Sequence, residues 1–286
     1  NLFTSRLDSA GVWYQYHQLF REFLVTKLER EDPETHRQLN KRRARLMRDQ
    51  GNWTQAIESY LQACAYQEAA ETIEIAAPEL FAAGERIGLG RWIDALPENV
   101  REEHPMLLLR RGRIYVEDEH WEQAVPLLER AYRALLERED ILGASRALVQ
   151  RAIAYRLQGR AEEAIATCQR VLELSGERDP LAATQTHHTL GICYTMRGDL
   201  DRGESEMRRA LELAQGQMDD TNAAFIAHDL GNVAVMRGKL LEGRQRFHQA
   251  LLHWRKIGNP SYLAMTLQSL DRKSTRLNSS HVQPSR

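Results

Sequence analysis

The chain is poor in the residues that staple, anchor or export a protein. Only Cys64, Cys168 and Cys193 stand among its 286 residues, each inside a helical pattern and none in a CxxC. An odd number so placed spells out neither a disulfide framework nor a thiolate metal site, and implies small buried side chains in a reducing compartment, the cytoplasm. No run of about 18 apolar residues occurs, so no membrane-spanning helix is encoded. The opening Asn1-Leu2-Phe3-Thr4 has no basic n-region and no apolar h-region, and so no visible signal peptide. It also lacks an initiator Met, from which we expect the chain to begin inside a longer protein. With a formal net charge of −1, the chain carries no overall electrostatic footprint for nucleic acid or an anionic membrane. No Ser/Cys-His-Asp arrangement can be argued, and an enzymatic role has no support.

What is present is a beat. Leu190-Gly191-Ile192-Cys193-Tyr194-Thr195-Met196-Arg197-Gly198 recurs forty residues later as Leu230-Gly231-Asn232-Val233-Ala234-Val235-Met236-Arg237-Gly238. Residues 151–160 hold an earlier, looser copy. Turns expected at Gly51, Gly84, Glu119, Gly159, Gly198 and Gly238 are 33, 35, 40, 39 and 40 residues apart. A fixed period of this size predicts an all-α solenoid of helical hairpins. Capping residues keep the same time: Asp32-Pro33, Asp140, Asp179-Pro180, Asp219 and Asn259-Pro260 each put an acceptor where a helix start has free N–H groups. Small residues do too. Ala56, Ala124, Ala164, Gly203 and Gly243 lie five past a turn, and Ala63, Ala131, Val171, Ala210 and Ala250 seven further on. Backbones approach closely only where side chains are small, so these positions mark the seam of each hairpin, with Tyr60, Leu128, Met207 and Phe247 filling between.

The two ends depart from the beat. Leu2–Leu7 and Val12–Tyr16 are short and partly alternating, separated by Asp8-Ser9-Ala10-Gly11, and predict a β-hairpin. Leu19, Phe20, Phe23, Leu24 and Leu28 then share one helix face. The unit from Gly84 to Pro97 is the least regular. Extrapolating Gly191 and Gly231 by forty reaches Asp271, where the pattern is expected to stop. Residues 271–286 show no helical period and resemble a translated sequencing-adaptor tail, a non-native segment, with a native disordered tail as the alternative. The native sequence is then expected to continue beyond residue 270. The expected organisation is 1–32, 33–97 (irregular hairpins), 98–270 (repeats of about 40 residues) and 271–286.

Leu190, Gly191, Tyr194 and Ala210, with Leu230, Gly231 and Ala250, resemble the tetratricopeptide pattern, whose usual length is about 34 residues. Trp13-Tyr14-Gln15-Tyr16-His17-Gln18-Leu19-Phe20, Gly51-Asn52-Trp53-Thr54-Gln55-Ala56, Arg91-Trp92-Ile93-Asp94-Ala95-Leu96-Pro97 and Pro105-Met106-Leu107 are similar to the MalT-like, LuxR-type class of bacterial signal-transduction (STAND) ATPases. That resemblance implies a right-handed superhelix behind the end of a winged-helix domain, which makes 1–32 its remnant. It implies ATP or ADP in the full-length protein, DNA only through a domain outside this chain, and an oligomeric active form. The chain has no G-x-x-x-x-G-K-[ST], so no nucleotide site of its own is expected. The resemblance points to the sensor and scaffold region of a transcriptional regulator. A stand-alone tetratricopeptide adaptor for protein partners is the alternative.

Two candidate sites follow. In related ATPases the winged-helix His contacts the ADP phosphate; His17 holds that place, at a strand-to-helix junction where an anion is favoured. A packing or capping role is the bland reading. The repeat groove is expected to include Arg146, Arg156, Gln185, His188, Thr195, His228 and Asn232, and to take a peptide, protein or small-molecule inducer; solvated polar residues are the alternative. His188 and His228 are expected to stack on neighbouring helices. They stand where a chaperone-type carboxylate clamp needs Lys. His187 and His188 point to different helix faces, and with Cys193 they give no four-ligand metal spacing. Lys41-Arg42-Arg43-Ala44-Arg45 lies among Glu29, Glu31 and Glu34, the pattern of a solvated face.

Overall fold

The computed structural model describes residues 4–6 and 14–280. The expected turn at Asp8–Gly11 and the last six residues of the tail, 281–286, lie outside the described residues. Two compact units divide between Leu107 and Leu108.

The first unit opens with β1 (Thr4–Arg6) and β2 (Tyr14–Tyr16), antiparallel, in the register Thr4↔Tyr16, Ser5↔Gln15, Arg6↔Tyr14. Helices α1 (Gln18–Glu31), α2 (Pro33–Asp49), α3 (Trp53–Gln62), α4 (Tyr66–Ala82), α5 (Arg86–Asp94) and α6 (Glu98–Glu103) follow. The break between α1 and α2 is local chemistry: the Asp32 carboxylate accepts from the Thr35 N–H at 3.1 Å and Pro33 takes the first helical position, where its missing N–H costs nothing. The apolar face of α1 is largely uncovered, with Leu19 and Phe23 exposed and no α1 residue fully buried. Short α5 and α6 account for the irregular stretch before Pro97 and beyond it.

In the second unit the hairpins become regular. Helix α7 (Pro105–Glu117) leads to α8 (Trp121–Glu137), then α9 (Ile141–Leu157) with α10 (Ala161–Ser175), α11 (Pro180–Met196) with α12 (Leu200–Gly216), α13 (Asp220–Met236) with α14 (Leu240–Ile257), and α15 (Pro260–Ser280). The expected turns are left-handed at Gly51, Gly84, Gly159, Gly198 and Gly238, and Glu119 adopts the same conformation at φ 62° in the slot where glycine is missing. Asp140, Asp179 and Asp219 each accept from the N–H three residues on, at 2.9, 3.3 and 3.0 Å. The predicted seam residues Ala124, Ala131, Ala164, Val171, Ala210 and Ala250 are buried, and so are Leu128, Met207 and Phe247 between them. The tightest seam joins α11 to α12, where Gly191 and Gly203 face one another: a Cβ on either would stand 3.0 Å from the other's carbonyl oxygen.

Helix α15 runs past Asp271, where the sequence repeat ends, to Ser280. Residues 272–280 contain neither Gly nor Pro, and the first breaker is Pro284. Once a helix is nucleated, each further residue adds a hydrogen bond at little cost, so the backbone carries on past the last repeat-like side chain.

Candidate functional site

The first helices of successive hairpins, α9, α11, α13 and α15, line a pocket of about 420 Å³. The repeat arithmetic explains its walls. A stride of 40 residues brings Gln185, Phe225 and Met265 to one level, Asn222 and Tyr262 to a second, and His188 and His228 to a third. Ile153 and Ile192, 39 residues apart, make a fourth. Identical geometry with different side chains therefore produces a graded surface: cationic and aliphatic toward α9, aromatic toward α15.

Its polar side is a linked set. His188 Nε2 donates to Asp229 Oδ2 at 2.9 Å, tying α11 to α13. Burial pushes the Asp229 carboxyl up, but the His188 hydrogen bond and the charges of His188, His228 and Arg156 outweigh it, so its pKa is lowered overall. His228 is buried and lies edge-on to Phe247 with ring centres 5.2 Å apart. Its Nδ1 is 3.2 Å from the Thr266 hydroxyl, whose own proton goes to the Tyr262 carbonyl at 2.9 Å. That commitment makes His228 Nδ1 the donor. The two histidines are thus held by a carboxylate and a hydroxyl on the next helix. Phe225 packs edge-on to Tyr262 at 4.7 Å, and buried Trp254 stacks on Tyr262 at 4.8 Å from behind.

Arg156 reaches into this pocket from the α9–α10 seam. Burial lowers its pKa from the ordinary arginine value, opposed by Cys193, Asp229 and Cys168; a guanidinium stays charged in either case. Both thiols are pushed up by burial, Cys193 to about 11, and so are neutral neighbours.

Of the groove residues read from sequence, Arg156, Gln185, His188 and His228 line the pocket. Arg146 does not: it bonds the buried Asp179 carboxylate at 2.5 Å and braces the N-cap of α11. Thr195 is corrected to the seam, where its hydroxyl donates to the Gly191 carbonyl at 2.8 Å and abuts Gly203. It occupies the slot of Arg156, but only a long side chain spans from that slot to the groove. Asn232 is half-buried on α13, outside the lining. Asp229, Phe225, Asn222, Tyr262 and Met265 escaped the sequence reading, although stepping forty residues from Gln185 reaches Phe225 and Met265 directly. His187 turns away from His188 to Glu206 on α12 at 2.6 Å. His17 stands exposed at the N-cap of α1, with φ −53°, ψ 137° and no side-chain capping bond.

Comparison with known proteins places these features in a wider group. The family described as "MalT-like TPR region" matches residues 145–269, "MalT winged helix domain" residues 1–36, and "Tetratricopeptide repeat" residues 107–142. The regulatory protein AfsR of Streptomyces coelicolor is 26% identical over 176 residues; the match covers 59% of this chain and 17% of AfsR, so the chain spans a minor part of that relative's length. A STAND protein with a tetratricopeptide repeat sensor from Pyrococcus horikoshii superposes with a TM-score of 0.66 at 15% identity, over 92% of this chain and 40% of that one. A Rap protein in complex with Competence and Sporulation Factor gives 0.55 at 11% identity, over 88% and 85% of the two chains. These likenesses establish the shared fold.

Proposed function

We propose that this chain, which matches the MalT-like TPR region and the MalT winged helix domain, is the sensor and scaffold arm of a cytoplasmic transcriptional regulator of the MalT-like STAND class. The observation that carries this reading is the pocket shared by α9, α11, α13 and α15. A protein, peptide or small-molecule inducer lodged there touches three successive hairpins and α15 at once. Ligand binding across four stacked units favours one superhelical pitch over others, and so biases whatever the arm is attached to. The Rap neighbour, solved in complex with Competence and Sporulation Factor, supports a partner-binding role for this fold. The winged-helix match over residues 1–36 favours a regulator over a stand-alone adaptor.

His17 is proposed to report nucleotide state. Its residue is solvent-exposed at a helix start and its side chain caps no N–H of α1, which leaves it available to an ADP phosphate bound by a nucleotide domain. ADP retention favours a closed form, and inducer binding with ATP an open, oligomerising one. In the full-length protein His17→Ala should speed ADP release several-fold; an unchanged release rate would refute the role. Phe225→Ala should blunt inducer-dependent transcription without changing the basal level, and a full response from that variant would remove the pocket from the mechanism.

A further inference from the structure

We infer that the pocket is built for a small amphipathic acid, with Arg156 receiving its carboxylate and the Phe225–Tyr262–Met265 wall its apolar body. This rests on the reading of the pocket as the sensor site. The basis is an imbalance among the arginines of the second unit. Arg146, Arg151, Arg160, Arg197, Arg208 and Arg209 each reach a carboxylate. Among the described residues Arg156 reaches none, like the exposed Arg178, Arg244 and Arg255, but of these it is the one whose Nε is buried without a hydrogen-bond partner. A guanidinium carries five N–H donors in a planar fork; with Nε shut in, the part of Arg156 that lines the pocket is what a ligand meets.

Nothing beside it fills that need. The Cys168 and Cys193 thiols are held neutral by burial. Asp229 is the one acid that bears on Arg156 electrostatically, and it is hydrogen-bonded by His188. A ligand carboxylate can meet the fork with two parallel bonds, the geometry at which Arg is strongest. At the other end Tyr262 and Met265 are 37% and 38% exposed, although Phe225 and Trp254 hold the Tyr262 ring in place. That leaves a preformed apolar wall still open to a ligand. Between the ends, Gln185, Thr189 and Asn222 offer polar groups for a connecting chain. A volume of about 420 Å³ suits a molecule of metabolite or short-peptide size.

The carboxylate could be that of a free organic acid or a peptide C terminus, and the test separates the two. The whole chain is titrated calorimetrically with 4-phenylbutyrate and 4-phenylbutyramide, and with the tripeptide Ala-Leu-Phe bearing a free or an amidated C terminus. In at least one pair the acid is expected to bind tenfold or more tightly than its amide, and that pair names the source. Arg156→Gln is expected to erase the difference while keeping the thermal midpoint, since it removes a half-buried charge that the fold leaves unpaired. Equal affinity of acid and amide, or a preference that survives Arg156→Gln, overturns the inference. Amides that bind as well as acids and are lost on Phe225→Ala leave the sensor reading standing without it. Failure of all four probes to bind overturns both.

Discussion

Replacing Gly191 by alanine tests the close approach that sets the repeat geometry. Alanine is the better helix former by about 1 kcal/mol, so propensity alone says that the variant gains stability. The structure says otherwise. A Cβ at residue 191 would lie 2.5 Å from Met207 Cγ, 3.0 Å from the Gly203 carbonyl oxygen and 3.2 Å from the Met207 backbone nitrogen. Met207 is buried, and the other two atoms belong to the α12 backbone, so the helix itself must retreat by a few tenths of an ångström. Overpacking of this kind costs about 1–3 kcal/mol. With the propensity gain subtracted, Gly191→Ala should lose up to about 2 kcal/mol. Gly216→Ala is the control, because residue 216 is helical, exposed and has nothing within 4 Å of a built Cβ; it should gain up to about 1 kcal/mol. Urea unfolding of the three proteins measures both values. Amide exchange should locate the first loss in α11 and α12, since each repeat in a solenoid couples chiefly to its neighbours. A Gly191→Ala protein that gains as much stability as Gly216→Ala would refute the close-packed seam.

Two further outcomes follow from burial and charge. In the native chain a thiol reagent at pH 8 should modify the exposed Cys64 quickly and leave the buried Cys168 and Cys193 untouched; all three should react in urea, and rapid native modification of a second thiol would contradict the packing of α10 against α11. Asp229 has a folded pKa below its unfolded value of about 3.9, so its stabilising contribution is present at neutral pH and lost as pH falls through that lowered range. Asp229→Asn should therefore flatten the acid limb of stability against pH, and an unchanged limb would show that the His188 bond contributes nothing.

The sequence by itself determined the hairpins, their turns and their seams. Helix ends depend on single residues such as Asp32, Asp179 and Gly198, and a seam depends on the absence of side-chain bulk at Gly191 and Gly203, so both are written locally and repeat with the chain. Even the turn at Glu119 was legible, because the beat required one where no glycine stood. The tertiary structure alone decided which slots open into the groove. Arg156 and Thr195 share a slot, yet one reaches the pocket and the other ends at the seam, since side-chain length settles what backbone position does not. Arg146 was drawn away by the Asp179 carboxylate, 33 residues distant in sequence, and Asp229 entered the site because α11 and α13 set it opposite His188. Periodicity places backbones at fixed intervals, whereas a site depends on which side chains meet across those intervals, and that is settled only when the helices pack.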